Sequence, residues 1–242
     1  MLLFSKENIV NITGTTNEQA RTIWVAQTLK KITAGSRILD AGAGERKFKP
    51  FCTHLNYIAQ DFSRYDGKGD NAGLQTGTWD QSGLDIVSDI TAIPEPDASF
   101  DAIMCIEVFE HLPDPLKALC EFSRLLRPQG YLILTAPFCS LTHFAPFHFA
   151  TGFNSYFYSH HLELNGFTIL EMQRNGNYFE YLAQELRRLP FIAERYAVDG
   201  PSSNNEIAAL NILLEMLGRF SQKDIGSSEL LAYGYHVFAM KR

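Results

Sequence analysis

The residues best suited to chemistry in this chain stand in three short segments. In ILDAGAGERKFKP, Asp40 ends an apolar run, and Gly42 and Gly44 follow in Gly-x-Gly spacing. Glycine at both positions lets the backbone turn sharply and approach a ligand without a Cβ in the way. The amides of the helix expected next would offer donors to a carboxylate end of that ligand. In YIAQDFS, Asp61 lies 21 positions after Asp40, where a carboxylate at a strand tip accepts hydrogen bonds from two ribose hydroxyls. In FDAIMCIEVFEHLPDP, Glu107, Glu110 and His111 stand together. Five of the seven histidines, His111, His143, His148, His160 and His161, fall after that strand and before the element at 167. Histidine is the side chain that exchanges a proton near neutral pH.

Those segments need strands that end where they begin. Apolar and β-favouring runs predict strands over 37–40, 55–60, 84–88, 100–106, 131–136, 167–172 and 231–240, alternating with helices, which is the pattern of a mainly parallel sheet. Thr15 and Glu18 form a Thr-x-x-Glu capping box for a helix running towards Lys31. A second helix is expected over 114–126, stopped by Pro128 and Gly130. Between strands six and seven, Phe179, Leu182, Leu186 and Leu189 mark one amphipathic helix, and Ile207, Leu210, Leu214 and Leu217 mark another, on either side of DGPSSNN. We read 1–242 as one domain with an N-terminal helical segment over 1–33 and a helical insertion over 177–226.

At 242 residues and 45% hydrophobic content, the chain can bury the core of one α/β domain, the reading favoured here, although two small domains also fit the length. A net charge of -6 and a pI near 5.6 give no general field attractive to phosphate backbones, so nucleic acid is not an expected partner. The four cysteines are spaced 53, 15 and 19 positions apart, which makes neither a CxxC zinc pair nor a dense disulfide framework. MLLFSKENIV lacks the basic flank of a secretion signal, and no stretch is long and apolar enough for an integral membrane segment. A cytoplasmic location is the expectation.

Four segments in order, DAGAG after strand one, Asp61 at the tip of strand two, SDITAIPEPDASFD after strand three, and EVFEHLPDP with RPQGYLILTAPF around strands four and five, resemble the class I S-adenosylmethionine-dependent methyltransferases. In motif the chain is most similar to the ubiquinone-biosynthesis type and, more loosely, the surface-polysaccharide type. The resemblance covers roughly 38–137. It implies a Rossmann-like seven-stranded α/β fold and S-adenosylmethionine as cofactor, surrounded by Asp40, Gly42, Gly44, Asp61, Asp89, Ile90 and Glu107, with Asp89 and Ile90 at adenine. The chain departs from the pattern at Arg46, where many members have a third glycine. His111 is the expected base or orienter of an acceptor, beside the cofactor's methionine end. Glu107, Glu110 and His111 are the oxygen and nitrogen ligands that the resemblance permits for a divalent metal, although the expected site counts no metal.

Methyl transfer from a sulfonium is an in-line displacement, so positioning is the main task, with a base added for a hydroxyl acceptor. The acceptor is expected to be a small molecule, a sugar or a lipid-linked compound, methylated at oxygen. FCSLTHFAPFHFATGFNSYFYSHH supplies aromatic residues for its pocket or for the core beneath a long loop. Arg187, Arg188 and Arg195 lie on the insertion, which is read as a helical lid or the face of a homodimer ahead of an approach for a lipid or anionic substrate. Two other readings stay open: a nucleotide-binding oxidoreductase, whose Gly-x-Gly-x-x-Gly would need a small residue at Lys47, and a protein that binds the cofactor without catalysis.

Overall fold

The computed structural model describes residues 12–198, 200 and 202–242. Residues 1–11 of the expected N-terminal segment, and Asp199 and Pro201 of DGPSSNN, lie outside them. The chain divides into two compact units, one of residues 22–173 with 234–242 and one of 174–233 with the residues up to 21.

The larger unit is built on a sheet of seven strands: β1 (Arg37–Ala41), β2 (Asn56–Asp61), β3 (Ile86–Val87), β4 (Phe100–Ile106), β5 (Leu126–Pro137), β6 (Phe167–Asn175) and β7 (Gly234–Lys241). Their order is β3-β2-β1-β4-β5-β7-β6. The first five pair in parallel and β7 runs antiparallel to β5. This is the Rossmann-like α/β architecture expected from the alternation of elements. Among the described residues the α-helices are α1 (Asn17–Leu29), α2 (Pro115–Leu125), α3 (Ser155–Leu164), α4 (Tyr178–Tyr196) and α5 (Asn204–Ser221).

The central strands are apolar on both faces because both faces are covered. Side chains alternate, so Ile38, Ala102, Met104, Ile133 and Phe238 meet Trp24, Val25 and Leu29 of α1 on one side. Leu39, Ala41, Ile103, Cys105, Leu132, Leu134 and Val237 meet Leu119 and Phe122 of α2 and Tyr158 and Leu162 of α3 on the other. Burying each of these large side chains contributes about 1.5–3 kcal/mol. Asp114 caps α2 by accepting from Lys117 N at 3.1 Å, and Asn154 caps α3 by accepting from Phe157 N at 3.1 Å.

The strand order reverses between β1 and β4, and at such a switch point the connections leave on opposite faces and open a crevice at the carboxyl ends. Register brings those ends together, with Ala41 opposite Gln60, Asp40 opposite Met104 and Asp61 opposite Val87.

Several expectations are corrected. No α-helix opens after the Gly-x-Gly turn; the chain makes turns and a four-residue 3-10 helix, Lys49–Cys52, because Pro50 has no N–H to extend a longer ladder. β3 keeps only Ile86–Val87, and the Asp85 carboxylate accepts from Ala59 N at 2.8 Å beside the strand's start. β5 begins at Leu126, and the register with β4 shifts between Phe100 and Ala102, so 127–130 form an irregularity with Gln129 at φ +63°. Strand seven starts at Gly234 rather than 231. Helix α1 starts at Asn17, and Thr15 Oγ1, ahead of it, donates to Ile12 O at 2.7 Å.

In the smaller unit α4 and α5 pair through Ala183, Leu214 and Leu217, with Phe179, Leu182, Leu186 and Leu210 against them. This is the helical insertion between strands six and seven. Leu189 and Ile207, expected on the buried stripes, are 55% and 45% exposed. Ser203 and Glu206 form a reciprocal capping box at the start of α5. Among the described residues no helix is long and apolar enough to cross a membrane.

Candidate functional site

The turn after β1 is folded around the tip of β2. The amides of Gly42 and Ala43 donate to Gln60 O at 2.9 and 2.8 Å. Gly44 N donates to Asp61 Oδ2 and Ser63 N to Asp61 Oδ1, both at 2.9 Å. Each oxygen of this buried carboxylate holds one amide and keeps a second lone pair. Gly42 has φ +79°, and a Cβ there would lie 2.6 Å from Val108 Cγ2. Both conformation and space therefore require glycine. Arg46 takes φ +60°, the left-handed backbone that glycine favours, at the position where the resembled pattern has its third glycine. Its guanidinium pairs with Asp80 at 3.5 Å.

A cavity of about 540 Å³ opens at the switch point, within the range of small-molecule sites. Gly42, Asp61, Asp89, Ile90, Glu107 and His111 line it, so the structure brings six of the expected site residues together. It does not bring Asp40 or Gly44 to the wall. Asp40 is buried behind it, accepting from Tyr57 Oη at 2.5 Å. Burial pushes its carboxyl up to about 7, with the Tyr57 hydrogen bond opposing and the Asp61 charge adding. Gly44 acts through Asp61. Asp89 is held below the usual carboxylate range by the backbone and side chain of Thr91. Glu107 sits at φ +57° and accepts from Thr135 Oγ1 at 2.8 Å. A non-glycine residue there is strained by about 1–3 kcal/mol, a cost found mainly at functional sites.

Sequence reasoning missed part of the wall. Gln60, Phe62, Arg64, Tyr65, Trp79 and Val108 also line the cavity. Tyr65 stacks on Phe144 at 4.7 Å between ring centroids, and Trp79 meets both edge-on. The long connection 62–85, without helix or strand periodicity, was itself the available signal, since such loops are commonly functional. The segment around 143 pairs with it through a bridge from Leu74 to His143. Phe144, Phe147 and Phe149 bring the expected aromatic segment to the same cavity.

On this aromatic side His111 Nδ1 is 2.6 Å from Phe147 O. A carbonyl only accepts, so Nδ1 carries the proton and Nε2 the lone pair. Burial first, and the neighbouring His143 and His148 after it, push His111 down to about 3, so the ring is neutral at physiological pH. His111, His143 and His148 form one group, with ring centroids 4.6 to 5.9 Å apart.

Three carboxylates, Asp61, Asp89 and Glu107, face the cavity against one guanidinium, Arg64. That balance, with bare backbone at Gly42, fits a ligand carrying positive charge, as the sulfonium and ammonium groups of S-adenosylmethionine do. It opposes the pyrophosphate of a dinucleotide, which also finds no α-helix after the β1 turn.

Comparison with known proteins agrees. Residues 39–134 match the family model described as a methyltransferase domain. A ubiquinone biosynthesis O-methyltransferase of Xanthomonas oryzae pv. oryzae (strain PXO99A) is 33% identical over 105 residues, 42% of this chain and 43% of that protein. A demethylmenaquinone methyltransferase of Renibacterium salmoninarum is 34% identical over 116 residues, 47% of this chain and 45% of that protein. The chain thus spans less than half the length of these relatives. A SAM-dependent methyltransferase from Archaeoglobus fulgidus superposes with a TM-score of 0.54 at 19% identity, over 91% of this chain and 94% of that one. Motif order, sheet topology and family match converge: residues 39–134 are similar to methyltransferase domains and sit on a Rossmann-like sheet.

Proposed function

We propose that this protein transfers the methyl group of S-adenosylmethionine to a hydroxyl of a small aromatic acceptor. The observation that carries the reading is the single cavity wall on which Gly42, Asp61, Asp89 and Glu107 meet Phe144, Phe147 and His111. The two relatives' names, one an O-methyltransferase of ubiquinone biosynthesis and one a demethylmenaquinone methyltransferase, support an aromatic acceptor.

The cofactor, when bound, supplies a methyl group on a sulfonium that leaves as a neutral thioether. The chain's own part is placement. Asp61 is assigned to the ribose hydroxyls, Asp89 to the adenine edge and Ile90 to its face, and Gly42 to close backbone approach. Glu107 serves the methionine end, with Asp40 behind as a buried charge. Phe144, Phe147 and Phe149 exclude water and stack the acceptor. His111 Nε2, neutral and carrying the lone pair, orients the acceptor's hydroxyl by accepting its hydrogen bond. We assign the whole chain to one methyltransferase domain carrying the 177–226 insertion.

The test is transfer of labelled methyl from S-adenosylmethionine to hydroxylated aromatics, with sugar and lipid-linked acceptors run beside them. A labelled aromatic ether should form with one S-adenosylhomocysteine per turnover. His111→Ala should slow it on the order of 10²-fold through lost positioning while leaving cofactor affinity nearly unchanged. Labelling only of sugars or lipid-linked acceptors overturns the acceptor assignment. Tight cofactor binding with no labelled product from any acceptor would make the protein a binding module.

A further inference from the structure

We propose that His111, His143 and His148 together bind one first-row transition-metal dication of the zinc class. One ring nitrogen from each lies within 4.8 Å of the other two. Zinc holds imidazole nitrogen at about 2.0–2.1 Å, which in a tetrahedron sets ligand nitrogens about 3.3 Å apart. Closing the gap takes ring movements of about an ångström, within reach of small side-chain rotations.

The hydrogen bonds around the rings already select the ligand atoms. His111 Nδ1 donates to Phe147 O at 2.6 Å and His143 Nδ1 to Leu141 O at 2.8 Å, because a carbonyl only accepts. Both Nε2 atoms therefore carry the lone pair. Pinning one imidazole nitrogen by a backbone carbonyl so that the other ligates is the usual outer support of a metal-bound histidine. The same two Nε2 atoms face one oxygen of Glu110, at 3.6 and 3.8 Å. That side chain is 1% exposed, and its negative charge would balance a dication held beside it.

Unsatisfied ring nitrogens point the same way. His111 Nε2 and both ring nitrogens of His148 are buried with no hydrogen-bond partner among the described residues. Buried polar atoms left in this state need an explanation, and a bound ion is one of the few. Stacking of His111 on Phe144 accounts for the ring's position but not for three unsatisfied nitrogens.

Three imidazoles favour zinc, cobalt, nickel, copper or iron over magnesium, which prefers oxygen. The set differs from Glu107, Glu110 and His111, the metal ligands the sequence resemblance permits, because two of its members come from the loop after β5. Three protein ligands leave a fourth position open, as at catalytic zinc sites. His111 lines the cavity, so an ion on it would stand at the acceptor side. Only this last consequence, an ion rather than a free Nε2 meeting the acceptor hydroxyl, rests on the proposed function; the metal site itself rests on the cluster.

The test uses the full-length chain without a polyhistidine tag, stripped by chelator. It is titrated calorimetrically with zinc chloride, and separately with cobalt(II) while the visible spectrum is recorded. One ion per chain should bind, cobalt should give the intense bands of a four-coordinate site, and magnesium should not compete. His143→Ala and His148→Ala should each weaken zinc by about tenfold or more, with His160→Ala as an unaffected control. The wild-type cobalt spectrum does not depend on how the variants fold. Absence of saturable zinc binding, or zinc binding unchanged in folded His143→Ala and His148→Ala, overturns the site. S-adenosylhomocysteine titrated without metal reports on the cofactor reading separately, so either can fail alone.

Discussion

At the scale of single residues, the site depends on Asp61, a carboxylate buried at the tip of β2. Asp61 spends one lone pair on each oxygen on Gly44 and Ser63, and charge-assisted bonds to a ribose are worth about 1.5–3 kcal/mol each. Asp61→Ala should weaken S-adenosylhomocysteine binding roughly 10- to 150-fold, at about 1.4 kcal/mol per decade. Unchanged affinity in a folded variant removes Asp61 from the site. Asp40 makes a different prediction. Burial lifts its carboxyl from the ordinary 3.8 to about 7, so between those pH values the native state holds more protons than the unfolded one. Its contribution to stability therefore falls as pH rises from about 4 to 7 and is level on either side, by at most about 4 kcal/mol at 1.36 kcal/mol per unit. Asp40→Asn should gain stability relative to wild type across that window, read from denaturant unfolding at pH 4.5 and pH 8. A difference that does not change with pH contradicts the buried-charge account. Gly42, Asp61, Asp89, Ile90 and Glu107 were legible in the sequence because each lies just after a recognisable strand, where local order fixes its place. Asp40's withdrawal behind the wall was not, because it depends on a hydroxyl, Tyr57, from the next strand.

At the scale of elements, strands with continuous apolar runs were readable and their edges were not. RILDA and FDAIMCI declare themselves by composition, whereas the irregularity at 127–130 comes from pairing with β4 and has no local signature beyond RPQG. The Gly-x-Gly turn was legible, but the helix expected after it was not formed, since a helix begun at Glu45 would carry Pro50 in its interior, and only the short 3-10 helix Lys49–Cys52 follows. The aromatic wall was half legible. The 138–161 segment was marked by its composition, while Tyr65 and Trp79 reach the cavity through a bridge between two loops that no periodicity encodes. Helix α5 offers a local test. Ser203 Oγ accepts from Glu206 N at 3.3 Å and Glu206 Oε2 accepts from Ser203 N at 2.7 Å. Ser203→Ala should destabilise the helix by about 1 kcal/mol, seen as faster amide exchange in the first turn of α5, with cofactor affinity unchanged. Exchange equal to wild type would show that the cap contributes nothing measurable.

At the scale of the whole molecule, charge and topology agree. The chain carries a net charge of -6, and the cavity at the switch point concentrates three carboxylates against one guanidinium. The order β3-β2-β1-β4-β5-β7-β6 with an antiparallel seventh strand was foreshadowed by the alternation of elements. The meeting of His111, His143 and His148 was not, because it joins the connection after β4 to the loop after β5. Identity to the two relatives is confined to less than half of each, so the cofactor assignment must be tested on this chain. Calorimetric titration of the purified protein with S-adenosylhomocysteine and, separately, with NAD does so most directly. One S-adenosylhomocysteine per chain should bind saturably, tighter than NAD by about tenfold or more, a difference of about 1.4 kcal/mol or greater. NAD binding as tightly as S-adenosylhomocysteine, or no binding of the latter by the folded protein, would contradict the cofactor assignment.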